Sequence, residues 1–251
     1  MKTVHKSRSG FTLVELLVVI GIITLLASIS VPAIYKAVVK AKEARIQIEV
    51  AQLAQGIERD KVKHLSYPPD FSDPAAVRRH LQRIFPRRKE ALDQFDFSKL
   101  DASEALPFWL GGFSPDVERP LTGPGERIPL TEFDRARLVD LDGDGFPSYV
   151  PPKGEGVPYV YFDSRSYASA AFALPGAGTA KPYRSDLEGD VALSGGGEAF
   201  ANPKSFQIIA AGLDLEYGVG GGKFPSGTGY AKGDRDNFVN FSERSLEASR
   251  Q

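Results

Sequence analysis

Residues 11–34 read FTLVELLVVIGIITLLASISVPAI, and the ten residues before them read MKTVHKSRSG. Only Glu15 is charged among those 24 residues, so the stretch is long enough to cross a ~30 Å hydrocarbon core as a helix. A secretory apolar region is shorter and is followed by a small-x-small cleavage site, which is missing after this run. Lys2, Lys6 and Arg8 precede it. By the positive-inside rule they hold that end in the cytoplasm and direct the rest of the chain outward. A carboxylate inside a span costs ~2.5–3.5 kcal/mol near the centre, so Glu15 requires a partner and marks a functional position.

The basic leader, the sequence Gly10-Phe11-Thr12-Leu13-Val14-Glu15 and Pro32 deep in the apolar run resemble the class III signal of type IV pilins and type II secretion pseudopilins. The resemblance implies that a prepilin peptidase cuts between Gly10 and Phe11 and methylates the new N-terminus of Phe11. Glu15 then meets the Phe11 amine of a neighbouring subunit as its counter-charge. A proline at position 32 removes one backbone hydrogen bond and bends the helix axis. The implied location is a bacterial inner membrane, single-pass with the N-terminus cytoplasmic and the head extracytoplasmic, followed by a filament.

The segment from Tyr35 to about His64 is rich in Ala, Gln, Glu, Lys and Arg, all strong helix formers. Val39, Ile46, Val50, Leu53 and Ile57 recur at steps of seven, four, three and four, which is one apolar stripe at helical spacing. Continuous helix from Phe11 to His64 is ~80 Å long at 1.5 Å per residue. Tyr67-Pro68-Pro69 ends it, at a helix-then-Tyr-Pro junction similar to that of pseudopilins. The expected organisation is a leader over 1–10, a membrane and polymerisation helix over 11–34, an amphipathic extracytoplasmic helix over 35–66, and a head over 67–251.

Between Asp73 and Leu110 the pattern is helical and carries Arg78, Arg79, His80, Arg83, Arg87, Arg88 and Lys89. Such a cluster fits anionic headgroups or an acidic neighbour, but a charge run is more often a solvated helix face. The Leu106–Leu110 stretch holds the only tryptophan, Trp109, and reads as core. Apolar, β-prone runs at 157–162, 205–211, 190–193 and 238–241 predict a small antiparallel sheet laid on the long helix, an α+β fold. Glycine-rich stretches at 176–179, 194–197 and 218–222 read as exposed loops.

Two acidic stretches are candidate calcium sites. Asp140, Asp142 and Asp144, with Gly145 for the turn, fit the first half of a D-x-D-x-D-G loop, but position twelve is Pro151 where an EF-hand has glutamate. The alternative is a plain acidic turn. Nearer the C-terminus, Gly212-Leu213-Asp214 followed by Asp234 and Asp236 resembles the calcium loop of major pseudopilins, which implies Asp214, Asp234 and Asp236 as ligands. A hairpin with surface acids is the alternative there.

Composition excludes several functions. Removing Lys2, Lys6 and Arg8 lowers the 31 basic residues to 28 against 32 acids, a net charge of −4, which argues against nucleic acid as the main partner. The absence of cysteine excludes disulfides, thiol catalysis and Cys-ligated zinc. His5, His64 and His80 make no zinc-ligand spacing, and no hydrolase, P-loop or dinucleotide motif is present. These features predict a non-enzymatic subunit. The leading expectation is a type II secretion pseudopilin that assembles with other pseudopilins on a secretion assembly platform. A type IV pilus subunit is the alternative, and a membrane-tethered hydrolase the outsider.

Overall fold

The computed structural model describes residues 12–152, 156–187 and 199–250 and divides the chain into two compact units, Met1–Lys42 and Glu43–Gln251. Helix α1 (Leu13–His64) runs unbroken for 52 residues, including through Pro32. It stops where Leu65 turns to φ 60°, just before Tyr67-Pro68-Pro69. In the first unit the apolar side chains lie open, Leu25 at 63% and Ile29 at 68% exposure. This is the one helix among the described residues long and apolar enough to cross a membrane.

In the second unit the predicted stripe is buried at Ile46, Val50, Leu53 and Ile57. These side chains join a core with α2 (Pro74–Ile84) and α3 (Ala105–Leu110). Asp73 caps α2 by accepting from Ala75 N at 2.8 Å, and Pro74 takes its first turn, where a missing N–H costs nothing. The region 73–110, expected as one helical stretch, is therefore two helices with a short 3₁₀ turn at Leu92–Gln94 between them. Trp109 is fully buried and donates Nε1–H to Pro69 O at 2.9 Å, and Tyr161 donates to Pro68 O at 2.8 Å. The Tyr-Pro-Pro corner thus closes α1 and also supplies two carbonyls that orient core aromatics.

The strands follow in chain order: β1 (Leu138–Val139), β2 (Ser148–Tyr149), β3 (Val160–Asp163), β4 (Phe172–Leu174), β5 (Gly178–Ala180), β6 (Arg184–Ser185), β7 (Phe206–Ala210), β8 (Lys223–Phe224) and β9 (Phe238–Val239). The central sheet is antiparallel in the order β3-β7-β9, with Tyr161 opposite Ile208 and Ile209 opposite Val239. Both faces are covered. Tyr161, Phe206, Ile208 and Ala210 belong to the helix-side core, while Val160, Phe162, Ile209 and Val239 belong to a second core with Tyr183 and Tyr217. Period-two alternation in a sheet buried on both sides explains why these strands read as continuous apolar runs.

The runs expected at 157–162, 205–211 and 238–241 correspond to β3, β7 and β9, and the one at 190–193 lies outside the described residues, as does the glycine stretch at 194–197. Three small two-stranded sheets flank them, β1-β2 and β4-β5 antiparallel and β6-β8 parallel. The other two glycine stretches are not simple exposed loops. Gly178 starts β5 and bridges Gly218, and a Cβ at Gly218 (φ +73°) would fall 2.5 Å from Asp234 Oδ2. Close backbone approach, not solvent exposure, selects glycine there.

One charged tie joins α1 to the sheets within the second unit. Glu49 accepts from Arg137 Nη1 and Nη2 at 2.6 Å each and from Tyr159 O–H at 2.5 Å, while Arg137 Nε donates to Val150 O at 2.7 Å. The bidentate pair is mostly buried and the Arg137 Nε–H is also used, the arrangement in which an ion pair holds its place.

Candidate functional site

The start of α1 is built by four consecutive residues. Thr12 N donates to Glu15 Oε2 at 2.9 Å, Thr12 Oγ1 donates to the same oxygen at 2.8 Å, and Glu15 N donates to Thr12 Oγ1 at 3.2 Å. This is a reciprocal capping box, T-x-x-E, in which side chains satisfy N–H groups that the first helical turn leaves open. The negative charge also sits at the positive end of the helix dipole. Glu15 therefore has a local role before any neighbour arrives, one the sequence displays in the Thr12–Glu15 spacing.

The first acidic loop gains a residue that motif reading missed. Asp140 accepts from Gly143 N (2.8 Å) and Gly145 N (3.1 Å), and Asp144 Oδ1 accepts from Phe146 N (2.8 Å). These bonds curl the loop so that Asp142 and Asp144 meet Glu104, the N-cap residue of α3, with carboxylate oxygens all within 4.8 Å of one another. Glu104 is 3% exposed and accepts from Asp101 N at 3.0 Å. Burial pushes its carboxyl up to about 8; the Asp101 N–H opposes that shift, and the charges of Asp101, Asp144 and Asp142 add to it. Asp144 Oδ2 is buried with no hydrogen-bond partner. A glutamate brought from elsewhere in the chain thus stands near the loop that lacks one at position twelve, and no local signal marks it.

The second acidic loop separates the three aspartates expected to act together. Asp234 is fully buried and accepts from Tyr183 O–H (2.9 Å), Gly220 N (2.9 Å), Val219 N (3.2 Å) and Ala231 N (2.8 Å). Four protein donors fill its lone pairs, so it works as the hub that ties 217–220 to the C-terminal segment and leaves the ligand set. Asp236 and Asp214 do meet, with Asp214 N donating to Asp236 Oδ2 at 3.2 Å. Burial, with the charge of Asp214 adding, raises Asp236 to about 6, and its Oδ1 is buried without a partner.

The basic cluster on α2 is mixed. Arg79 and Arg83 are exposed, as a solvated face requires, but His80 is buried and packs edge-on against Trp109 at 5.0 Å. Burial first, then the charges of Arg83, Arg165 and His64, lower its pKa to about 3. Glu90, expected among the acids that dilute the cluster, is buried and accepts from Leu121 N and Thr122 N.

A model of the prokaryotic N-terminal methylation motif matches residues 5–31. The chain carries a prokaryotic N-terminal methylation motif. No curated protein and no solved structure matches it. The methylation motif is the class III signal of type IV pilins and pseudopilins. It supports a type IV pilin-like or pseudopilin subunit, and with it processing by a prepilin peptidase.

Gly10 and Phe11, the expected cleavage site within the methylation motif, lie outside the described residues. Glu15 sits inside the motif and in the first turn of α1, and Pro32 follows the motif by one residue, inside the same helix.

Proposed function

We propose that the chain is a pseudopilin of a type II secretion system, cut between Gly10 and Phe11, held N-in in the inner membrane and assembled through α1 into a periplasmic filament. The observation that carries this reading is the contrast along α1. Its first part bears the methylation motif and, among the described residues, an exposed apolar surface, whereas Ile46, Val50, Leu53 and Ile57 of its outer part are buried within the second unit. Once out of the bilayer that surface must be covered by other helices, because apolar area left in water costs ~25 cal/mol per Å2. Within such a bundle the Glu15 carboxylate exchanges its capping contacts for the Phe11 amine of a neighbour, since an unpaired charge is costly away from water. The lack of cysteine, where pilins commonly pair two near the C-terminus, favours the secretion filament over the pilus.

The test is Glu15→Val in the native host. Membrane insertion is expected to persist while incorporation into filaments is lost; normal incorporation would refute the pairing. Copurification with a secretin complex is expected, and copurification with surface pili would shift the assignment to a pilus subunit.

We further propose calcium at Asp142, Asp144 and Glu104. The unpartnered Asp144 Oδ2 and the oxygen-only donor set suit a hard cation. Asp214 and Asp236 form a second, two-carboxylate candidate. Calcium added to the full-length protein in detergent is expected to raise its melting temperature, with the gain lost in Asp144→Asn if the first site is responsible and in Asp236→Asn if the second is. No heat of binding and no shift would remove the metal.

A further inference from the structure

A cavity of about 430 Å3 is walled by α2, by the residues that lead into it and by the turn after β3. Arg79 and Arg83, one helical turn apart on α2, line it together with Arg165 from that turn. Each guanidinium is anchored. Arg83 Nη2 donates to Ser66 Oγ and, at 3.1 Å, to Nδ1 of His80, which is 2% exposed. Arg165 donates from Nε to Asp163 at 2.5 Å and from Nη2 to Tyr67 O at 2.8 Å, and Arg79 Nη2 donates to Asp73 at 3.1 Å. After burial, the charges of Arg83 and Arg165 are the next causes of the low His80 pKa, so both act on one ring.

The acids on the lining are already engaged. Asp70 Oδ1 accepts from Ser72 N at 3.1 Å and Ser72 Oγ at 2.5 Å, and its Oδ2 accepts from Asp163 N at 3.0 Å and from the Ser166 hydroxyl. Asp163 accepts from Arg165 N and Nε, and Asp73 divides its oxygens between Ala75 N and Arg79. Among the described residues Arg83 has no acid as partner, and Nη1 of all three arginines makes no hydrogen bond. What the cavity offers a guest is therefore a set of charged donors held in place, and a guanidinium fork matches the two oxygens of a carboxylate. A cation would meet three guanidiniums and acid oxygens that each carry a donor. Asp70, Asp73 and Asp163 equal the three arginines in formal charge, so a dianion would be opposed. A single carboxylate has Arg83, the guanidinium that no acid engages. The volume exceeds that of a lone ion, and Pro69 and Ala76 add apolar surface for a short stem.

We infer that this cavity binds a monocarboxylate, with its oxygens on Arg83 and Arg79 and its stem against Pro69 and Ala76. Two sources present this chemistry: a free short-chain acid, or an acidic side chain or chain terminus of an adjacent subunit. None of the lining residues belongs to either proposed calcium site, and the inference stands apart from the choice of filament.

The chain supplies its own reporter, since its only tryptophan, Trp109, packs against His80 with ring centroids 5.0 Å apart. Full-length protein in detergent, near neutral pH and at constant low ionic strength, is titrated separately with sodium butyrate, inorganic phosphate and n-butylammonium chloride, following tryptophan fluorescence and heat. Saturable binding of butyrate is expected, with weaker binding of phosphate and none of n-butylammonium. Arg83→Gln is expected to weaken butyrate about tenfold or more through loss of a charged donor. Arg79→Gln is expected to weaken it about threefold, as suits a more exposed pairing. Arg87 is exposed and off the lining, so Arg87→Gln is expected to leave butyrate binding unchanged. No saturable binding of butyrate, tighter binding of phosphate, undiminished binding by Arg83→Gln, or an equal loss from Arg87→Gln would overturn the inference. Should Arg83→Gln not fold, Arg79→Gln against Arg87→Gln decides by itself. A photo-crosslinker at position 76 in cells separates the sources. An adduct to an acidic residue or a C-terminus of another chain assigns the occupant to the assembly, and butyrate binding without any adduct assigns it to a free acid.

Discussion

Leu13–Lys42 and Glu43–His64 belong to one helix, yet their apolar side chains meet opposite fates. In the first stretch Leu25, Ile29 and Ile34 are more than half exposed; in the second Ile46, Val50, Leu53 and Ile57 are buried at 6% exposure or less. Helix formation alone explains neither. The outer stretch spaces its apolar residues on one stripe and opposes it with Lys, Glu, Arg and Gln, so the chain's own head can cover it. Within the inner stretch, residues 13–34 carry no charge but Glu15 and are apolar all round, the pattern of a helix whose cover is lipid or other helices.

The largest test of that contrast is truncation on either side of it. Trp109→Ala in the head removes a fully buried ring and the bond to Pro69 O, and is expected to cost about 3–5 kcal/mol in thermal or chemical unfolding. Leu25→Ala is expected to leave the head's melting temperature unchanged. A comparable loss from both would erase the distinction between the two regions.

A somewhat smaller effect is expected where the outer helix is tied by charge. Glu49→Ala strands the Arg137 guanidinium and the Tyr159 hydroxyl, both largely buried, at a cost of about 3 kcal/mol. Removing both charges together, as in Glu49→Leu with Arg137→Met, is expected to recover much of that loss in the same denaturant titration.

The smallest of the three effects is pH dependence at His80. Its folded pKa, near 3, lies below the ordinary 6.5, so the unfolded chain takes up the proton first and stability is lost as pH falls through 6.5 toward 3. At pH 5 the loss is about 2 kcal/mol. Asp163, raised to about 6 chiefly by burial, and Glu104 act with the opposite sign, because burial disfavours their charged forms and acid relieves it. The difference between wild-type and His80→Leu profiles isolates the histidine, and a flat difference between pH 7 and 5 would contradict its burial as a neutral ring.

What was legible in the sequence is what local pattern controls. The stripe from Ile46 to Ile57, the Tyr67-Pro68-Pro69 stop and the apolar runs of β3, β7 and β9 carry their own periodicity or breakers. The flanking strands, two or three residues each, do not; they exist because distant partners meet, as at the Gly178–Gly218 bridge. Asp234 looked like Asp236 in sequence, and only the four donors around it give it a different task. Glu104 has no motif at all, and its meeting with Asp142 and Asp144 depends on how α3 packs. In the methylation motif the residue types themselves are the signal, so residues 10–15 could be read without any fold.

The central claim is that α1 begins as a processed, filament-forming segment. Mass spectrometry of the mature protein from host membranes tests it directly. The account predicts an N-terminal N-methylated Phe11, and a protein that keeps Met1 or begins at any other residue would contradict it.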